Sequence, residues 1–186
     1  MVTVPRVWMW ADLEDVPEDQ TGQRYEIIDG ELIVTPSPVP RHEMLAIELT
    51  LIFGNFVKAG RLGQIFGDRV DVKLAEGEAL VIPDLSFIRR DRLGIIGPTA
   101  INDAPDLVLE ILSPSTRSRD LGEKRELYAR NGVREYWVVD PEAETVTVLV
   151  QAEGGYEPLP EAGGIVRSTV LPGLEFDIAA LFAETG

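Results

Sequence analysis

Two apolar stretches each carry one acid. Residues 81–88 read V-I-P-D-L-S-F-I and place Asp84 among Val81, Ile82, Leu85 and Phe87, while residues 106–112 read D-L-V-L-E-I-L and place Glu110 among Leu107, Val108, Leu109, Ile111 and Leu112. Burying a carboxylate in such a run is costly unless something pairs with it. A divalent cation, which prefers hard oxygen ligands, is one such partner. On neighbouring strands the two acids would repel each other, and a cation between them relieves that repulsion. Asp84 and Glu110 are therefore candidate ligands for Mg²⁺ or Mn²⁺. The plainer reading is that Asp84 caps a turn after Pro83 and that Glu110 pairs with an arginine.

A third residue stands out. On a helix spanning 119–131, Leu121, Lys124, Leu127 and Tyr128 share one face, so Lys124 points toward the sheet among apolar neighbours. Its ammonium then neutralises charge that builds up during a reaction. Snorkelling, or an i, i+4 pair with Asp120, explains the position equally well. Glu26 shares a strand face with Arg24 and either adds a carboxylate to the site or pairs with that arginine; the sequence favours the pairing. His42, the single histidine, opens a helix beside Glu43 and reads as an exposed residue before it reads as a base.

The elements that must position these groups follow from hydrophobic spacing. Residues 24–28 and 31–34 flank Asp29-Gly30, a hairpin signal. Three prolines within 35–40 interrupt the chain, and 42–59 repeats Leu45, Leu49, Ile52, Phe53 and Phe56 at helical spacing before Gly60. Strands are expected at 64–74, 80–88, 106–112, 135–140, 145–151, 156–159 and 165–171, helices at 119–131 (closed by Gly132) and 178–182, and a short acidic helix or loop near Asp12 to Asp19. This order is mixed α/β (α+β): a central mixed sheet flanked by helices, with a strand–helix–strand crossover, in a single domain over 1–186.

Composition narrows the chemistry. With 186 residues and 45% hydrophobic content the chain can bury a real core. No apolar run approaches the roughly 20 residues of a membrane helix, and the N-terminus lacks the layout of a signal peptide. The absence of cysteine excludes disulfides and thiolate zinc, and suits a reducing cytoplasm. One histidine cannot build a multi-histidine centre, so a metal site here is made of oxygen. The net charge of −15 opposes non-specific coating of nucleic acid. Nine of the 17 basic residues nevertheless fall in two segments, Arg89, Arg90 and Arg92, then Arg117, Arg119, Lys124, Arg125, Arg130 and Arg134. They read as a solvated mixed-charge surface or as a basic rim around the two acids.

The segments R-Y-E-I-I-D-G-E-L (24–32), P-S-P (36–38) followed by His42, P-D-L-S-F-I (83–88), A-P-D-L-V-L-E-I-L-S-P-S-T (104–116), D-L-G-E-K-R-E-L-Y (120–128), G-V-R-E-Y-W-V-V-D-P (132–141) and L-P-G-L (171–174) together resemble one branch of the PD-(D/E)XK nucleases. That branch is the Uma-two type family of restriction endonucleases. The resemblance implies a restriction-endonuclease-like core, a magnesium-type hydrolytic site, and DNA as substrate. By position, Asp84 and Glu110 would be metal ligands, Glu26 a supporting acid, and Lys124 the lysine. The superfamily's usual lysine lies two residues after the second acid, where this chain has Leu112, so the implied lysine has migrated to the next helix. The resemblance, with the aromatic strand around Tyr136 and Trp137, also implies a homodimer or higher oligomer. Competing functions are a catalytically silent homo-oligomeric module on the same fold, and a small-molecule phosphodiesterase using the same ligands.

Overall fold

A computed structural model describes residues 7–13 and 24–185. One helical turn, α1 (Trp10–Leu13), comes first; Glu14, Asp15, Glu18 and Asp19 of the expected acidic stretch lie outside the described residues. Next, β1 (Arg24–Ile28) pairs antiparallel with β2 (Glu31–Thr35). Asp29 and Gly30 turn between them at φ 50° and 77°, the two consecutive positive angles of a tight hairpin. Helix α2 (Pro40–Gly60) begins at the proline, whose missing N–H costs nothing in a first turn. His42, Leu45, Leu49, Phe53 and Val57 are buried at intervals of three or four, which is one helix face.

Two expected strands each divide. The stretch 64–74 becomes β3 (Gly63–Gly67) and β4 (Val72–Leu74), and 80–88 becomes β5 (Ala79–Val81) and β6 (Leu85–Arg89). The halves join different sheets, because β3 pairs with β6 while β4 pairs with β5. Pro83 has no N–H to give a ladder, and the chain changes sheets there. Asp84 consequently stands at a corner just before β6, not in mid-strand.

Beyond it come β7 (Leu107–Ile111), α3 (Arg117–Leu121), α4 (Glu123–Arg130), β8 (Glu135–Asp140), β9 (Thr145–Ala152), β10 (Gly155–Leu159), β11 (Ile165–Arg167), β12 (Glu175–Asp177) and α5 (Ile178–Ala183). The expected helix over 119–131 is two helices, broken at Gly122, whose φ −115° and ψ −93° are not helical. The break turns Leu121 outward, to 42% exposure, so it does not share the buried face of Lys124, Leu127 and Tyr128.

A six-stranded sheet runs β10-β9-β8-β7-β6-β3, and a four-stranded one β2-β1-β5-β4. In the larger sheet β7 and β8 are parallel, joined by the α3–α4 crossover, and the other neighbours are antiparallel. Period-two alternation gives this sheet two buried faces. One face, with Leu107, Leu109, Ile111, Trp137 and Val139, packs on Leu45, Leu49 and Phe53 of α2 and on Leu181 and Phe182 of α5. The other, with Val108, Leu112, Tyr136 and Val138, packs on Leu127 and Tyr128 of α4 and on the smaller sheet. Tyr136 and Trp137 are fully buried, Trp137 lying 5.3 Å from the Phe53 ring and 5.7 Å from that of Phe176. These aromatics build the core and offer nothing to an interface between subunits. No helix among the described residues is long and apolar enough to cross a membrane.

Candidate active site

Strand register brings the two acids together. Leu85 of β6 pairs with Leu109 of β7 in antiparallel alignment, so Asp84 arrives opposite Glu110. Glu110 shares its sheet face with Val108 and Leu112 and looks toward α4 and β1. From α4, Lys124 places its Nζ 3.0 Å from Glu110 Oε1 and 2.9 Å from Glu26 Oε1 on β1. Glu26 Oε1 also accepts the Ile82 amide at 2.9 Å. Glu26 thus pairs with Lys124, while Arg24 turns to Asp68 at 3.2 Å and to Asp84 Oδ1 at 3.8 Å. Asp120 comes within 3.8 Å of Lys124, so the i, i+4 contact and the inward-facing lysine both exist.

Two further side chains belong to the site. Tyr128 donates its hydroxyl to Glu110 Oε1 at 2.7 Å. His42 is buried, and its Nε2 lies 3.2 Å from Asp84 Oδ2, which also accepts the Ile111 amide at 2.8 Å. The expectation of an exposed His42 fails because the residue sits three before Leu45 and seven before Leu49, on the helix face that packs inward. That spacing was the signal for it. Asp120 had a signal too, since it lies four residues before the inward-facing Lys124 and eight before Tyr128, on the same helix face.

Charge in this cluster is unbalanced. Glu26, Asp84, Glu110 and Asp120 are all buried, against the buried Lys124 and His42 and the half-buried Arg24. Burial pushes the Glu110 carboxyl well above its usual range; Lys124 pulls it back, and Asp120, Asp84 and Glu26 add to the rise. Burial likewise raises Asp120, with Lys124 opposing. Burial also acts to raise Asp84, but the His42 hydrogen bond and charge, the Ile111 amide and Lys124 leave it below the usual value. Burial would lower Lys124, yet the charges of Glu110, Glu26 and Asp120 hold its ammonium more firmly than water would. For His42 the desolvation that would lower its pKa is outweighed by Asp84, and the imidazole titrates above its ordinary value.

These residues line a cavity of about 280 Å³, rimmed by Pro36-Ser37-Pro38 and by residues 113–116. Among the described residues, Asp120 Oδ1, Thr35 Oγ1 and His42 Nδ1 are buried without a hydrogen-bond partner, and all three residues line it. The donor set suits a magnesium-type ion: hard oxygens, excess negative charge and unsatisfied polar atoms around one cavity. Among the described residues, no three His, Asp or Glu side chains converge on one point to hold a metal. An ion that keeps several waters and takes one or two carboxylates does not need three. The first basic segment is not part of this rim. Arg89 lies at the other end of β6, five residues or about 17 Å from Asp84, and Arg89 and Arg92 pair with Asp91, Asp103 and Asp106.

Residues 10–179 match the family model described as "Uma2: Putative restriction endonuclease". The chain belongs to this family. In fold it is similar to a crystal structure described as "a putative nuclease belonging to DUF820" from Anabaena variabilis ATCC 29413, with a TM-score of 0.78 at 22% identity, covering 95% of this chain and 98% of that one. A curated relative, the uncharacterized protein slr1290 of Synechocystis sp. (strain ATCC 27184 / PCC 6803 / Kazusa), is 28% identical over 116 residues, which are 61% of this chain. The match spans 58% of that relative's length.

Proposed function

We propose that the chain is a metal-dependent nuclease that hydrolyses phosphodiester bonds of DNA in the cavity around Asp84 and Glu110. The observation that carries this reading is the cluster of four buried carboxylates there, set against Lys124, His42 and the half-buried Arg24, in a member of a restriction endonuclease family. Asp84 and Glu110 would hold Mg²⁺ or Mn²⁺, which when bound would polarise the scissile phosphate and make a coordinated water more acidic.

The chain's own residues do the rest. His42 and the Ile111 amide occupy Asp84 Oδ2 and so fix the carboxylate's orientation. Lys124 keeps its proton between Glu26 and Glu110 and therefore acts as a fixed positive charge, not as a base. It stabilises negative charge growing on the phosphate oxygens as water adds to phosphorus and one P–O ester bond breaks. Glu26 holds the lysine in place. The cavity's small volume admits a phosphate and its immediate neighbours.

A second reading, a catalytically silent homo-oligomeric module, is favoured by one observation, the net charge of −15, which repels DNA as a substrate. Plasmid cleavage separates the two. The nuclease reading expects nicking in Mn²⁺ or Mg²⁺, none in EDTA, and loss of nicking in Asp84→Ala. Intact plasmid under every condition, together with a mass above 20.5 kDa in light scattering, would favour the silent module.

A further inference from the structure

Glu110 presents its two oxygens unequally. Oε1 accepts the Tyr128 hydroxyl at 2.7 Å and the Lys124 ammonium at 3.0 Å. Both donors are buried and both come from α4, one helical turn apart, so a single element sets both contacts. The Tyr128 ring is itself held against Tyr136, with centroids 5.3 Å apart. A carboxylate oxygen has two lone pairs, and two donors fill them. Oε1 is thereby used up, and Oε2 is the atom left for a cation.

That asymmetry bears on which cation fits. Mg²⁺ and Mn²⁺ are served by one oxygen per carboxylate in a compact octahedron, whereas Ca²⁺ takes more ligands at longer distances and often uses both oxygens of one carboxylate. We infer that Tyr128 is a positioning residue: with Lys124 it commits Glu110 to single-oxygen ligation and turns the cavity toward a small octahedral cation and against Ca²⁺. The inference rests on the metal site proposed above.

Calorimetric binding of Mn²⁺ and of Ca²⁺ to the wild-type chain and to Tyr128→Phe tests it, with circular dichroism to confirm the fold. Phenylalanine keeps the ring packing and removes only the hydroxyl. Freed of one donor, Glu110 should grip Ca²⁺ through both oxygens, and the preference for Mn²⁺ over Ca²⁺ should fall by about tenfold, the scale of one hydrogen bond to a charged group. An unchanged preference, or equal weakening of both ions, overturns the inference while leaving the metal site standing. Failure of the wild type to bind either ion removes the metal site and the inference together. Should Tyr128→Phe not fold, a crystal structure of the wild type with Mn²⁺ decides. Oε2 alone on the ion, with Tyr128 still on Oε1, supports the assignment, and both oxygens on the ion overturn it.

Discussion

The six-stranded sheet buries acids at both of its ends, and they are treated in opposite ways. At the end where β7 and β8 begin, Glu135 is fully buried and fully supplied. Its Oε1 accepts Trp137 Nε1 at 2.7 Å and Ser168 Oγ at 2.6 Å, and its Oε2 accepts the Thr169 amide and hydroxyl at 2.6 and 2.7 Å and the Val170 amide at 3.2 Å. Asp106 beside it takes the Arg89 amide at 2.9 Å on Oδ2, and its Oδ1, which accepts no hydrogen bond among the described residues, is neutralised by Arg92 at 3.1 Å and Arg134 at 3.8 Å. At the opposite end, Glu26, Asp84, Glu110 and Asp120 share Lys124, His42 and the more distant Arg24, and among the described residues Asp120 Oδ1 accepts no hydrogen bond and has Lys124 no closer than 3.8 Å. A buried carboxylate is therefore no mark of a site by itself. The mark is a shortage of cations around it, since Lys124 alone is shared by Glu26, Glu110 and Asp120, which leaves a metal ion something to do.

The largest effects should separate the ends most clearly. Lys124→Ala should lower the cleavage rate by about two to three orders of magnitude, the scale for losing one preorganised donor. Mn²⁺ affinity should hold or rise in that variant, because one cation near the acids has gone. Lys124→Arg should restore little activity, since a planar fork does not replace a compact charge. Glu135→Ala should instead lower stability by about 3 kcal/mol or more, because it strands several buried donors, and should leave Mn²⁺ affinity unchanged. Denaturant melts and calorimetry on both variants check this crossing of effects. If Glu135→Ala also removed Mn²⁺ binding, the two ends would not be distinct.

Acidity sharpens the contrast. Glu110 has a folded pKa above its unfolded value, so its contribution favours the folded chain at low pH and is lost as pH rises from about 4.3 toward the folded pKa. Without metal, Glu110→Gln should gain stability relative to wild type over that rise, and saturating Mn²⁺ should reverse the gain. A flat difference across pH in urea melts would mean that the cavity's charge is already balanced. Asp140 behaves in the opposite sense: burial would raise it, but Arg117 at 2.7 Å and the Ala143 and Glu142 amides hold it below its usual range. Its stabilising share is present above an unfolded pKa of about 3.9 and disappears as pH falls through the folded value. Because Arg117 is half exposed, Arg117→Ala should cost no more than about 1 kcal/mol near neutral pH.

Much of this geometry was legible in the chain. Acid in an apolar strand marked Glu110, and helical spacing turned Lys124 inward. The sheet pattern and hairpin followed from alternation and from Asp29-Gly30. What was not legible depended on breaks in regular elements. Pro83 moved Asp84 from a strand to a corner between sheets, and Gly122 split one helix so that Leu121 left the face it was placed on. The burial of His42 was readable from its phase with Leu45 and Leu49, but a lone polar residue at a helix start reads as solvent-facing. No local pattern shows that Tyr128 meets Glu110, because that contact needs the crossover to bring α4 back over β7.

Calorimetric titration of Mn²⁺ into the wild-type chain and Glu110→Ala tests the central claim most directly. The account predicts a site in the wild type that weakens by about tenfold or more without the Glu110 carboxylate, the order expected for losing a charged ligand. Equal Mn²⁺ binding by the two proteins would contradict it.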